Sequence, residues 1–193
     1  MSDRPVSRSI FVVAGALLTA QEVTKDPPAN QVLAPPPNAL FQKGPVRVIA
    51  RTDGNTELLL DGKKVTVESP HAGVLTAEVT VESGVHEVTV GDSRAKFAVG
   101  DAPGEWKAFR QHPPVSQCTT CHAVRNGNWR FVRASLASVC SACHNKEKFP
   151  EKHTHEMGIL TDCQMCHDSH GSTAAGHLKM SRANACKLCH NLQ

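Results

Sequence analysis

Every cysteine in this 193-residue chain belongs to one repeated five-residue pattern. In order, the four copies are CTTCH, CSACH, CQMCH and CKLCH, starting at Cys118, Cys140, Cys163 and Cys186. Their histidines, His122, His144, His167 and His190, follow one another at intervals of 22, 23 and 23 residues. That is an internal repeat of a single site. A disulfide framework scatters its cysteines at irregular spacings, whereas here all eight fall between residues 118 and 189. Residues 110–193 also hold nine of the eleven histidines and only scattered apolar residues. Such a stretch cannot build an ordinary hydrophobic core, so something else must fill its interior.

Three chemistries use paired cysteines at this spacing. A redox dithiol accounts for the cysteines but not for the histidine that follows each pair. A zinc ribbon accounts for the gaps of 18 or 19 residues between pairs. It closes with four ligands, however, and leaves the adjacent histidine unexplained in every copy. Cys-x-x-Cys-His is the attachment sequence of c-type haem. The two thiols form thioethers to one porphyrin, and the next residue reaches its iron. Four copies imply four haem c groups, carried by Cys118 and Cys121, Cys140 and Cys143, Cys163 and Cys166, and Cys186 and Cys189. His122, His144, His167 and His190 are then the first axial ligands. The porphyrins would supply the missing interior, with Trp106, Phe109, Trp129, Phe131 and Phe149 expected against their edges. Without them this half of the chain should be largely unfolded.

Five further histidines are available for the second axial positions: His112, His153, His155, His170 and His177. His170 lies only three residues past His167 and cannot easily wrap to the far face of the same iron. It is expected to ligate a neighbouring haem. Met165 sits between its own cysteines, and Met157 and Met180 read as packing residues. The segment HEMGILTDCQMCHDSHGS…ACKLCH resembles the doubled Cys-x-x-Cys-His unit of multihaem cytochromes in the cytochrome c3-like group. The resemblance implies roles for His155, Cys163, Cys166, His167, His170, Cys186, Cys189 and His190. The first unit, HPPVSQCTTCHAVRNG…VCSACH, departs from it. His112 stands six rather than eight residues before Cys118, and no residue corresponds to His170. The fourth distal ligand then falls to His177, with His153 as its substitute. Ligation by two histidines implies low potentials and no open iron site. The expected role is electron transfer, not catalysis, with other cytochromes or a membrane quinone oxidoreductase as redox partners. A haem reductase with one open iron and a self-assembling filament subunit are the competing readings.

The rest of the chain has a different character. Arg4, Arg8, the apolar run Ile10–Leu18 and Ala20 read as an export signal over residues 1–20. An uncleaved tail is the alternative, and the run is too short to span a membrane. The expected location is periplasmic or at the cell surface. Residues 21–44, with five prolines, are expected to be an extended linker. Residues 45–100 alternate short β-rich runs with turn signals, among them Asp61-Gly62 as a two-residue hairpin loop. In LTAEVTVE, Leu75, Ala77, Val79 and Val81 make one face apolar. Five or six such runs predict a small antiparallel sandwich. The segment LLLDGKKV…GVHEVTV resembles the PEGA-type, immunoglobulin-like modules of exported bacterial proteins, which implies a spacer or docking role. His86, in phase with Val88 and Val90, is expected at the core edge and bonded to backbone; His71 is expected in a solvated loop. The fold class is therefore a small all-β immunoglobulin-like sandwich, followed over residues 105–193 by a mostly coil and short-helix tetrahaem domain organised around covalent haems. A net charge of +3 without runs of one sign gives no nucleic-acid footprint.

Residues 101–193 hold eleven Lys and Arg against seven Asp and Glu, a balance of +4. Two propionates on each of four ferric porphyrins bring the oxidised domain near neutrality, and reduction makes it negative. Negative charge raises the pKa of neighbouring groups, so reduction should take up protons and the potentials should fall as pH rises from about 6 to 8. Potentiometric titration at several pH values checks this; pH-independent potentials would contradict it.

Overall fold

Alternation of β-branched residues with polar ones sets the structure of the first half of the chain. The computed structural model describes residues 29–113, 117–126, 128–145 and 162–190. Nine strands come first: β1 (Gln31–Ala34), β2 (Ala39–Phe41), β3 (Pro45–Arg51), β4 (Leu58–Leu60), β5 (Lys63–Lys64), β6 (Glu68–His71), β7 (Val74–Thr80), β8 (Gly84–Val90) and β9 (Ser93–Val99). One sheet runs β1-β3-β7-β6, and the second runs β2-β9-β8-β4-β5. A further short strand, β10 (Lys107–Ala108), extends the second sheet beside β2. The export signal expected over residues 1–20 lies outside the described residues.

The sheets face each other through Val46, Val48, Ala50, Ala77, Val79, Leu58, Val88, Val90, Phe97 and Val99, which form one buried cluster. Side chains of this kind each gain about 1.5–3 kcal/mol on full burial. Asp61 and Gly62 join β4 to β5 with φ of 50° and 76°. Those positive values are what a type I′ turn requires, and the ladder pairs Leu60 with Lys63. His86 holds the core edge as its phase with Val88 and Val90 predicts. Its Nε2 lies 3.0 Å from the Glu82 carbonyl and its Nδ1 lies 2.8 Å from an Asp61 carboxylate oxygen. Each ring nitrogen faces an oxygen, so the cationic ring can donate to both. Partial burial acts to raise the Asp61 pKa, but hydrogen bonds from His86 and the Glu87 N–H outweigh it and hold the carboxyl below its ordinary value.

Four expectations need correction. The linker expected over 21–44 is not one from Gln31 onward: β1 pairs with β3 and β2 with β9. Pro35, Pro36 and Pro37 lie between these strands, where no ladder donor is required. The sandwich is also not wholly antiparallel, because β2 runs parallel to β9 and β10 parallel to β2. Third, Phe109 packs on the sandwich, its ring 4.8 Å from that of Phe41. Finally, His71 ends a strand, and its ring lies 5.4 Å from that of Trp129 instead of in solvent.

Beyond residue 109 the described chain is mostly turn and short helix, with two small ribbons. One pairs β11 (Arg110–Gln111) with β14 (Gly171–Ser172); the other pairs β12 (His122–Arg125) with β13 (Asn128–Phe131). The helices are α1 (Leu136–Ser141) and α2 (Arg182–Lys187), neither with a buried residue. All buried hydrophobic residues described lie between Ala34 and Val99.

Phe97, fully buried against Phe41 and His86, is the largest side chain in this core. Phe97→Ala should cost about 3–5 kcal/mol of sandwich stability, read as a lower denaturant midpoint for loss of β structure.

Candidate functional site

The cysteine motifs share one local fold. In the second, third and fourth copies, the histidine N–H donates to the carbonyl of the first cysteine: His144 to Cys140 at 2.8 Å, His167 to Cys163 at 3.0 Å and His190 to Cys186 at 2.9 Å. The second cysteine N–H donates to the same carbonyl, at 3.1, 3.4 and 3.3 Å respectively. One helical turn therefore carries both thiols, three residues apart and so on one face. A cap precedes each of these turns. The Ser135 hydroxyl accepts from the Ser138 N–H, the Asp162 carboxylate from the Gln164 N–H and the Ser181 hydroxyl from the Asn184 N–H. Such caps satisfy amides left unpaired at the start of a helix. In the first copy Cys121 N–H donates to Cys118 at 3.2 Å, and His122 then enters β12.

Two thiols from different motifs are shifted away from the thiolate. Burial, with Cys143 nearby, pushes the Cys121 thiol up. Burial and the neighbouring Cys163 thiol push Cys140 up to about 11. Reactive dithiols show the opposite shift. The contact of Cys140 with Cys163 also brings the second and third motifs together. Among the described residues, no three His, Cys, Asp or Glu side chains converge as a metal cage.

The histidines meet as pairs of rings. His122 and His170 stand with ring centroids 6.4 Å apart and planes 12° apart. Two imidazoles on opposite sides of one metal ion have centroids about 6.3 Å apart, given metal–nitrogen bonds of about 2.0–2.1 Å. His112 lies 5.8 Å from His144 and 5.4 Å from His177. His170 thus meets the histidine of another motif, and His112 approaches the second. His177 joins this cluster with its Nδ1 buried and without a hydrogen-bond partner. His153 and His155, and with them Met157 and Phe149, lie outside the described residues.

Four of these rings are shifted toward the neutral form. Burial pushes the pKa of His122 down, and nearby His170 adds to the effect. Burial also lowers His144, with His112 and His167 contributing. His170 is lowered by burial, which Asp168 partly opposes. His177 is lowered by burial and by the proximity of His112, His167 and Arg110. Each shift favours the neutral imidazole, the form that binds iron. His167 Nδ1 donates to the Gly176 carbonyl at 2.8 Å, a contact that fixes the orientation of the ring. The loop from Asp168 to Lys179 folds back on its own motif through Asp168 N–H to His177 and Lys179 N–H to Cys166, both 2.8 Å. Inside it the His170 N–H donates to the Asp168 carboxylate at 2.9 Å, and the Ser172 hydroxyl donates to the Leu178 carbonyl.

The donor set fits covalent haem. Paired thiols on one face beside a histidine, with a second ring centred 6.4 Å from the histidine of the first motif, are donors of the kind that covalent haem uses. Trp129 and Phe131 lie 5.0 and 5.4 Å from His122, each within 26° of its plane. Sequence reasoning assigned these two aromatics to porphyrin edges; their described contact is the axial ring itself. It also missed the ribbon of β11 with β14, which fixes the backbone beside His170.

A family model described as the doubled CXXCH motif matches residues 157–193, the span of the third and fourth copies. That match supports a multihaem c-type cytochrome, and with it haem c binding and electron transfer. No curated protein matches the chain. Among solved structures, the fibronectin(III)-like modules of Clostridium thermocellum CbhA are similar at 20% identity over 38% of this chain and 98% of that one, with a TM-score of 0.31. Domain I10 of titin is similar at 5% identity over 36% of this chain and 94% of that one, TM-score 0.23.

If His170 closes the iron held by the first motif, His170→Ala should leave one of the irons five-coordinate. A high-spin ferric signal and carbon monoxide binding, both absent from the parent protein, would register it.

Proposed function

We propose that this chain is an exported tetrahaem c-type cytochrome that carries electrons outside the cytoplasm and is not itself an enzyme. The observation that carries the reading is the pairing of His122 with His170 at 6.4 Å, beside a cysteine motif present in four copies. When bound, haem c supplies reversible one-electron exchange at iron, at low potential where both axial ligands are histidine.

The chain's own residues do the rest. Cys118 and Cys121, Cys140 and Cys143, Cys163 and Cys166, and Cys186 and Cys189 would hold the four porphyrins. His122, His144, His167 and His190 would bind from one side. His170, His112, His177 and His155 are the histidines proposed for the other. The Gly176 carbonyl orients His167 through its Nδ1–H, and such outer hydrogen bonds fix the ring and raise its basicity. Distal histidines drawn from other motifs tie the sites together at short range, the arrangement that electron relay requires. The partners proposed are other redox proteins, such as cytochromes or a membrane quinone oxidoreductase. The sandwich, which lies outside the cytochrome c3-like resemblance, is proposed to be a PEGA-like spacer or docking module.

Intact mass and visible spectra test this directly. The mature protein should exceed its polypeptide mass by four haems and show sharp low-spin bands, with no rapid binding of cyanide or carbon monoxide. Fewer haems would refute the count, and prompt ligand binding would favour a reductase with an open iron.

A further inference from the structure

The sandwich reaches residues that pack beside His122 and His170 from two directions. On the first side, the register of β12 with β13 sets His122 opposite Phe131 and Val124 opposite Trp129. Alternation along the strands then puts His122, Phe131 and Trp129 on one face of the ribbon, which is why both aromatic rings lie against the imidazole. The Trp129 ring is met in turn by His71 of the sandwich, 5.4 Å away. That ring is held at its base: Nδ1–H donates to the Ala72 carbonyl at 3.0 Å, in the hairpin that pairs His71 with Val74.

On the second side the link runs through Gly171, the residue after His170. Its φ is +134°, and a Cβ there would lie 2.4 Å from the Phe109 ring and 2.8 Å from the Arg110 carbonyl. Only glycine admits this approach. The Phe109 N–H donates to the Leu40 carbonyl at 2.8 Å, and its ring packs on Phe41, which packs edge-on against Phe97 at the centre of the core. Pairing of Gln111 with Gly171 and Arg110 with Ser172 closes the joint. A continuous run of packed groups therefore joins Phe97 to the backbone of His170.

We propose that the β-sandwich is a clamp that sets the rotation of the His122 imidazole and the backbone position of His170 at the iron of the first motif, with Trp129 and Phe109 as its positioning residues. The proposal rests on the tetrahaem reading. A lone histidine rotates about two side-chain bonds; the His122 ring, stacked on Trp129 and Phe131, does not, and the packed Gly171 fixes the backbone from which His170 extends. A turn of the His122 ring, or a shift of that backbone, changes the 12° between the planes of His122 and His170. The angle between two axial imidazole planes governs the splitting of the iron d orbitals, and outer-sphere contacts that orient ligands tune a metal site in this way.

The test is low-spin ferric electron paramagnetic resonance on the full-length holoprotein, with haem content by intact mass. Trp129→Ala and Phe109→Ala should each shift the g-values of one ferric haem and leave the other three signals in place, with four haems retained. Trp129→Phe, which keeps a ring against His122, should restore the parent signal. Unchanged signals in both alanine variants would overturn the clamp, as would equal shifts of all four, which report general loosening. If Phe109→Ala does not fold, His71→Ala removes the other contact and must shift the same single signal for the clamp to stand. A parent protein with fewer than four haems would instead refute the underlying reading, and the mass reveals that separately.

Discussion

Between Asp101 and His190 the described chain buries only Gly171 and Ser172. No set of apolar side chains there repays the conformational entropy of ordering the backbone, which costs about 1–2 kcal/mol per residue. On the proposed reading, order comes from haem bonded at the cysteine pairs. The local features of this half accord with that. Its helices α1 and α2 are only six residues long and each ends within a cysteine motif. Its N-caps, Ser135, Asp162 and Ser181, do for these short turns what length and packing do for ordinary helices.

The two halves of the molecule therefore use opposite means of stabilisation, and their junction is a physical problem. The sandwich is a dry core of interlocking side chains. The cysteine-rich half, as far as it is described, is a set of turns, ribbons and short helices with no buried hydrophobic residue. Residues 107–111 solve the junction with backbone. β10 continues the sandwich sheet, Phe109 turns its ring onto Phe41, and β11 pairs with β14. Hydrogen-bonded backbone transmits position with little play, which suits a joint next to a metal ligand.

Much of this was legible in the sequence, for reasons that differ by element. The cysteine motif is local: five adjacent residues specify a helical turn and its chemistry, so its reading depends on nothing remote. The Asp61-Gly62 turn and the alternation in β7 are local too. The early strands were not legible, because the prolines between them dominate the local signal while their pairing depends on residues far along the chain, Ala50 for Val32 and Phe97 for Ala39. Phe109 was misread for the same reason. Nothing near it in sequence points back across some seventy residues to Phe41. Distal histidines fall between these cases. The surplus of histidine over cysteine pairs announces a second ligand at each site, and the proximity of His170 to His167 excludes one partner, but naming the partner requires the fold.

The meeting of His122 with His170 joins parts of the chain 48 positions apart. Packing on Trp129 and Phe131 places the first ring, and the β11–β14 ribbon places the backbone beside the second. Burial of both lowers their pKa values, so cation formation is opposed and no charge attraction draws them together. The spacing of 6.4 Å is the one that the proposed ligation of a single iron by both rings would require. His177, with an Nδ1 buried and unpartnered near His112, presents an unpaid cost of desolvation at a second place. On the proposed reading a haem iron would lie between the first pair of rings, and Cys118 and Cys121, beside His122, are the thiols that would keep its porphyrin in position.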